Sequence, residues 1–431
     1  MSPRVGAAVR RTFSSARSSR NFRLYLIGQI VSSAGTWMNF TASSWLVLKL
    51  SGSGTALGVN AALSFGPVLL LGPFGGVLAD RFNKRRILVA TQAAYAVIAL
   101  LIFALVIAGV IIDVRQLWMI YALSLASGIV TAFDNPARQS FYVEMVGEEA
   151  LTNAVSLNSA AFTGSRIVGP AIAGALIATV GIAWPFLVDG VSYVAVIVAL
   201  MAMRPDEMHE QRRTTRERGH LRAGLRYVRE TPELRRPLLI LAVVFTISFQ
   251  FQVLVPLLAE RVFHGDAGTF GALSAVAGLG SFLGAITMAH RNQRPSMRAL
   301  ALLVIGFGAA LVLVGAAPVL AVAFALMVPL GYVAMAFMIT GNTMLQLNAR
   351  PEARGRVMAL YGAIFLGSTP IGSPAMGWFA DQFGVRSGFF LGGAASLVTG
   401  FAVLYVRRRT LDAASALDVD PEPEPAVAPA G

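Results

Sequence analysis

Stretches of roughly twenty apolar residues recur along almost the whole chain, and nearly every charged side chain falls between them. A run of that length, wound as a helix, crosses the hydrocarbon core of a bilayer. In lipid it must satisfy its own backbone hydrogen bonds, which a helix does. With 56% hydrophobic and only 13% charged residues, against about a quarter charged in an ordinary soluble domain, folding in water would leave large apolar patches exposed. The expected solvent for most of the surface is lipid, and the expected fold class is an all-α integral membrane protein.

The runs predict twelve transmembrane helices, at about 24–49, 56–79, 87–111, 115–134, 153–180, 184–203, 237–259, 269–289, 299–317, 319–342, 357–380 and 386–406. The expected organisation is a basic N-terminal tail (1–23), a six-helix bundle (24–203), an Arg-rich linker (204–236), a second six-helix bundle (237–406) and an acidic, Pro-rich, disordered tail (407–431). The first 23 residues are Arg- and Ser-rich and acid-free, as in a targeting peptide. The run behind them is long enough to span, so a retained cytosolic tail is expected. Within the linker, Leu221, Leu225 and Val228 share a stripe interleaved with Arg222, Arg226 and Arg229. This pattern suits an amphipathic helix on the inner leaflet, or equally a solvated linker helix.

A net charge of +13 would suit a nucleic-acid partner, but its distribution excludes one. With the N-terminus inside, thirty of the 35 Lys and Arg fall on inner segments, and only Lys49, Arg115, Arg261 and Arg386 fall outside. That asymmetry places both termini in the cytoplasm of a multi-pass protein of the cell membrane. The remaining basic residue, Arg166, lies within a span.

The two halves resemble each other. A shift of 203 residues lays Gly164, Ser165, Gly169, Gly174, Gly181 and Gly190 on Gly367, Ser368, Gly372, Gly377, Gly384 and Gly393 without a gap. Phe162 and Phe186 fall on Phe365 and Phe389 in the same register. Spans five and six therefore read as a copy of spans eleven and twelve, as expected of two pseudo-symmetric bundles moving about a central site.

Several chemistries are excluded. The chain has no cysteine and four histidines without metal-ligand spacing. Its two lysines, Lys49 and Lys84, precede Leu50 and Arg85, so a phosphate-binding GxxxxGK[ST] loop cannot occur. No acid, histidine and nucleophile constellation lies in the spans. An enzyme is not expected, nor any cofactor or metal.

The connector after the second span reads Gly76-Val-Leu-Ala-Asp80-Arg81-Phe-Asn83-Lys84-Arg85-Arg86. A glycine lets helices approach closely at the inner membrane face. Asp80 suits an arginine or a helix N-terminus and so can latch the halves together. Further on stand Ala132-Phe-Asp134-Asn135-Pro136-Ala137-Arg138-Gln139, Leu151-Thr-Asn153-Ala and Arg166-Ile-Val-Gly169-Pro170-Ala-Ile-Ala-Gly174. The connector resembles the signature loop of the major facilitator superfamily, with Asn83 where the family usually has glycine. The later stretches, with Trp45-Leu-Val-Leu, resemble its enterobactin-exporter and macrolide-efflux branch, and Gly169-Pro170…Gly174 is similar to the span-five motif of its drug:proton antiporters. The basic signature usual in span four is absent; Ser124, Ser127 and Thr131 stand there.

The resemblance implies a secondary active transporter that exports a small amphipathic molecule by alternating access, as a proton antiporter acting as a monomer. An importer or lipid flippase on the same fold, and a non-transporting sensor or scaffold, are the alternatives. From the residues themselves, Arg166 within a span is a functional candidate by default, with Asp189 and Asp134 as the acids that could titrate. Asp189 and Arg166 differ in depth by on the order of 12 Å at 1.5 Å per residue, so a direct pair is not expected. Cavity candidates are Trp37, Asn39, Asn60, Gln250 and Gln252, with Asn342 and Gln346 near the inner end of span ten. For each amide an interhelical hydrogen bond is the better expectation.

Overall fold

The computed structural model describes residues 14–209, 220–291 and 294–417. Among them the chain is helical with no strand. The principal helices are α1 (Arg20–Ser51), α2 (Gly54–Arg81), α3 (Lys84–Ile107), α4 (Leu117–Thr179), α5 (Trp184–Met201), α6 (His220–Glu230), α7 (Pro232–Val243), α8 (Phe251–Leu257), α9 (Ala267–His290), α10 (Met297–Ala316), α11 (Leu320–Asn348), α12 (Arg354–Phe383) and α13 (Val385–Leu417). Nine helical stretches among the described residues are long and apolar enough to cross a membrane. Their outward side chains are large and apolar, among them Leu70, Val198, Val398 and Phe401. This is the inverse of a water-soluble surface, and it suits lipid.

Helix starts follow local chemistry. Ser19, Ser53, Asn83, Asp266 and Ser296 each turn a side-chain oxygen onto an orphan N–H of the following helix. Asn83, standing where the signature loop usually has glycine, is thus the N-cap of α3, with extended backbone at φ −65°.

Three sequence boundaries move. The first helix begins at Arg20, and Asn21 and Phe22, expected in the free tail, are fully buried. The last helix continues to Leu417 rather than ending near 406; 418–431 lie outside the described residues. The connector expected between spans four and five is helical. α4 runs through it and breaks only at Gly147, whose φ of 72° and ψ of 176° fit glycine alone without strain. Finally, α6 is seated on protein rather than on lipid or solvent alone. Val228 is buried, and the Tyr227 hydroxyl accepts from the Arg350 backbone N–H. The side chains of Leu221 and Arg222 are not among those described.

α1 and α3 each pack on α4 and on α5, and α2 lies along α4. α10 packs on α13 and α11, and α9 on α11. Two further seams join these groups, α2 against α12 and α4 against α9. The repeated glycines explain both kinds of contact. A Cβ on Gly169 would meet Trp37 and the Ala34 carbonyl of α1; on Gly174, it would meet Ala267 and Gly271 of α9. On Gly372 it would meet the Thr246 carbonyl, and on Gly377 the Gly54 carbonyl of α2. Each copy therefore grips its own half with one glycine and the opposite half with the next.

The segment after α7 is broken near its middle. Two π-helical turns, Val244–Ser248 and Leu258–Val262, flank α8, and Phe249 and Gln250 leave helical geometry. Broken helices in membranes occur where they line a cavity or are buried in protein.

Candidate functional site: a central aromatic cavity

The break opens onto a cavity of about 150 Å³ between the two halves. α1 and α4 contribute Trp37, Phe40, Thr41, Arg166 and Pro170; the broken segment contributes Phe249, Phe251 and Gln252. α2, α9, α11 and α12 complete the wall, with Phe65, Phe270, Ser281, Met335, Phe365 and Thr369 among their residues. Trp37 packs edge-on to Phe40 and Phe162. The walls are therefore π faces and methyls, with few hydroxyls and one charge.

That charge is Arg166. Its guanidinium carbon lies 5.0 Å from the centre of the Trp37 ring, within cation–π range. Among the described residues it makes no hydrogen bond or ion pair. Asp189 is elsewhere, as the depth argument expects: it is fully buried, and its Oδ2 accepts from Asn39 Nδ2 at 2.7 Å. Its Oδ1 is buried without a partner. Gly35 makes this fit possible, since a Cβ there would come 2.5 Å from Ser192 Oγ and 2.8 Å from Asp189 Oδ1.

Asp134 has different surroundings. Its Oδ2 takes Nε and Nη2 of Arg138 at 2.8 and 2.6 Å, and its Oδ1 takes Thr91 Oγ1 and Gln92 Nε2 at 2.7 and 2.9 Å. Arg138 also donates to Tyr25 and Gln29 of α1. Since α4 is helical here, Arg138 is not a loop arginine; with Asp134 it forms a filled polar knot tying α1, α3 and α4.

Three of the amides are turned away from the cavity and make the contacts that were the better expectation. Asn39 serves Asp189. Asn60 accepts from Ser124 at 2.8 Å. Gln250 donates to the Phe245 and Thr246 carbonyls, both at 2.9 Å, and accepts from Ser373 at 2.6 Å. It patches the backbone acceptors freed by the break and ties them to α12. Trp37 and Gln252 do line the cavity, each with one orphan atom: Trp37 Nε1 and Gln252 Oε1 are buried and unbonded. Asn342 and Gln346 bond each other within one helix at 2.6 Å.

In the signature loop, Gly76 is buried whereas Asp80, Arg81 and Arg86 are exposed. Asp80 has no partner among the described residues. Lys84 bonds Glu144 at 2.6 Å, and Arg85 donates to the Met201 carbonyl at 2.9 Å. At the opposite end stands a residue that the sequence reading missed. Asp381 accepts from Ser53 Oγ, Gly54 N, Thr55 N and Thr55 Oγ1, all at 2.8 Å, and from Arg261 at 2.9 Å. Arg261 also donates to the Gly52 carbonyl, and Lys49 pairs with Glu260 at 3.1 Å. Among the described residues, hydrogen bonds between 14–209 and 220–417 occur only at this end. A signal for Asp381 was available: Gly377-Trp-Phe-Ala-Asp381-Gln-Phe383 repeats the pattern of Gly76-Val-Leu-Ala-Asp80-Arg-Phe82.

The architecture is that of the major facilitator transporters. A bacterial homologue of the iron transporter ferroportin, solved in an inward-facing state, superposes with a TM-score of 0.68 at 14% identity, over 90% of this chain and 98% of that one. A bacterial homologue of the human lysosomal transporter Spinster, inward-facing and unoccupied, gives 0.66 at 16% over 89% and 95%. The chain belongs to the major facilitator family MFS_3, the transmembrane secretion effectors, whose model matches residues 12–430. Its relatives include the staphyloferrin A transporter of Staphylococcus aureus (24% identical, covering 87% of this chain and 93% of that protein). The multidrug efflux pump Tap of Mycolicibacterium fortuitum is 26% identical (91% and 97%), and macrolide efflux protein A of Streptococcus pyogenes is 24% identical (85% and 91%).

Proposed function

We propose that this protein is a proton-driven exporter of a small amphipathic molecule, working by alternating access across twelve spans in the cell membrane. The count takes the two parts of α4 separated at Gly147 as two crossings and adds α1 and α12. These two are long enough at 32 and 30 residues but more polar. The Arg-rich end, with both termini, faces the cytoplasm, as the charge asymmetry of the connectors requires.

The observation that carries the reading is the contrast between the two ends of the cavity. The Asp381 end is bonded shut across the halves, while Asp80 at the other end is exposed and, among the described residues, without a partner. Asp381 caps the N-terminus of α2 from the far end of α12. By the same pattern, Asp80 at the far end of α2 would cap the N-terminus of α12 when the Arg-rich end closes. The two aspartates would then serve alternately, each using a helix N-terminus as its partner. An export direction is favoured by the named activities of the relatives and by the span-five motif.

For the coupling proton, Asp189 is the better candidate of the two acids. Asp134 is neutralised in place by Arg138, whereas Asp189 has no cation partner and keeps one oxygen unbonded. Its donor Asn39 is two residues from Trp37 on α1, so a change at the acid reaches the cavity wall directly. Moving one charge through 100 mV supplies about 2.3 kcal/mol, enough for about a 50-fold gradient.

Inverted membrane vesicles energised with an inward-acid pH gradient test this. An exporter accumulates substrate inside them. Asp189→Asn should abolish the dependence on the pH gradient while leaving folding intact. Asp134→Asn should instead lower stability by about 3 kcal/mol, because it leaves Arg138 buried without its counter-ion. Loss of accumulated substrate on energising would establish import, and an unchanged pH dependence in Asp189→Asn would remove that residue from the coupling scheme.

A further inference from the structure

We propose that the cavity selects an organic anion: a carboxylate that pairs with Arg166, joined to an aromatic or aliphatic body that lies among the phenylalanines. The inference deepens the transport reading and rests on it for the site.

A guanidinium stays charged at any physiological pH, and an intramembrane charge is normally paired or faces water. Among the described residues, Arg166 is the only charged one on the cavity wall. The nearby candidates do not pair with it: Asp134 is bound to Arg138, Asp189 accepts from Asn39, and Asp381 sits at the far end. The guanidinium lies over the Trp37 ring. A structural arginine would be expected in a filled knot such as the one Arg138 makes. Arg166 instead presents an open fork to a cavity.

Two further atoms point the same way. The indole N–H of Trp37 and Oε1 of Gln252 are buried without partners, and both residues line the cavity. Leaving such groups unmade is costly, unless a ligand supplies the missing acceptor and donor. A carboxylate offers oxygens for both the guanidinium fork and the indole N–H. A hydroxyl or amide N–H on the same molecule would serve Gln252. The position of Trp37 is itself built. Gly169, three residues after Arg166 on the same helix, has no Cβ where one would lie 2.5 Å from Trp37 Cβ and 2.7 Å from the Ala34 carbonyl. The remaining wall, including Phe40, Phe65, Phe249, Phe251 and Phe270, suits an apolar body. A cationic drug would meet repulsion from Arg166 and no compensating acid.

The test compares matched probes on the full-length protein in lipid nanodiscs by calorimetric titration: 2-naphthoate, its neutral isostere 2-naphthamide, and 2-naphthylmethylamine. The expected order is naphthoate tightest, by at least about tenfold over the amide, with the amine weakest. Arg166→Gln should bring naphthoate and amide to equal affinity; Arg166→Lys should keep the preference in reduced form, since it keeps the charge and loses the fork. Trp37→Phe should weaken naphthoate more than amide. Should Arg166→Gln fail to fold, as judged by size exclusion, the wild-type order and the lysine variant decide. Equal affinities in the wild type, a preference for the amine, no measurable naphthoate binding, or an anion preference surviving in Arg166→Gln would each overturn the proposal. Because binding is read without any gradient, these results are separate from the vesicle experiment, and either reading can fail alone.

Discussion

Asp381 Oδ2 lies 2.8 Å from both the backbone nitrogen and the hydroxyl of Thr55, so the last turn of α12 is fastened to the first turn of α2. The two residues are 326 positions apart in the chain. The contact joins an anion to a helix N-terminus, where unpaired N–H groups and the helix dipole favour negative charge. Gly54 and Gly377 let the two backbones meet beside it.

This contact sets a pH dependence whose sign can be worked out. Burial tends to raise the Asp381 pKa, but the bonds from Thr55, Gly54 and Ser53 outweigh it and hold the carboxyl at about 2, below the ordinary 3.8. For a depressed acid, the stabilisation is complete above the ordinary value and disappears as pH falls through the depressed one. The closed Asp381 end should therefore be indifferent to pH between about 5 and 8, which leaves pH sensing to another group. Spin labels at Lys49→Cys and Glu260→Cys can follow closure, since the natural chain has no cysteine to remove. The distance should stay constant across that pH range, and should lengthen and broaden in Asp381→Asn at all of it. An unchanged distance in Asp381→Asn would show that the other contacts at this end hold it without the carboxylate.

Gln250 is expected to be a stability residue rather than a substrate contact. Replacing it with leucine keeps the volume but leaves the Phe245 and Thr246 carbonyls and the Ser373 hydroxyl without their partner. An unmet buried polar group costs about 1–3 kcal/mol, which should register as a clear drop in Tm in detergent. A variant that melts with the wild type would mean that lipid or water already serves the break.

The glycines of α4 should separate cleanly. Gly169→Ala must push Trp37 or the α1 backbone aside, and overpacking of this kind costs about 1–3 kcal/mol; binding at the cavity should weaken with it. A Cβ on Gly164, one turn away in the same repeat, would meet nothing within 4 Å. Gly164→Ala should be neutral, or stabilising by up to about 1 kcal/mol from helix propensity. Equal effects at both positions would contradict the packing described.

The alternation of apolar runs and Arg-rich connectors made the membrane class legible, and the gap-free repeat of glycines revealed which helices carry equivalent contacts. Arg166 stood out because a lone charge in an apolar run is conspicuous whatever surrounds it. The polar amides were less readable. Asn39, Asn60 and Gln250 show only that a helix carries a hydrogen-bonding group; each could equally line a cavity or meet a neighbour. Arg138 was misplaced for a related reason: the polar stretch from Asp134 onward looks like a connector, yet the Asp134–Arg138 pair neutralises itself and lets the helix continue.

The sequence by itself determined that this chain is a bundle of membrane helices with an arginine-rich face, because hydropathy and charge act on each segment independently of the others. Which end is shut, which acid is paired, and which cation faces the central cavity were decided only by tertiary structure. Those outcomes depend on how residues hundreds of positions apart meet across helix seams, and no local pattern records that distance.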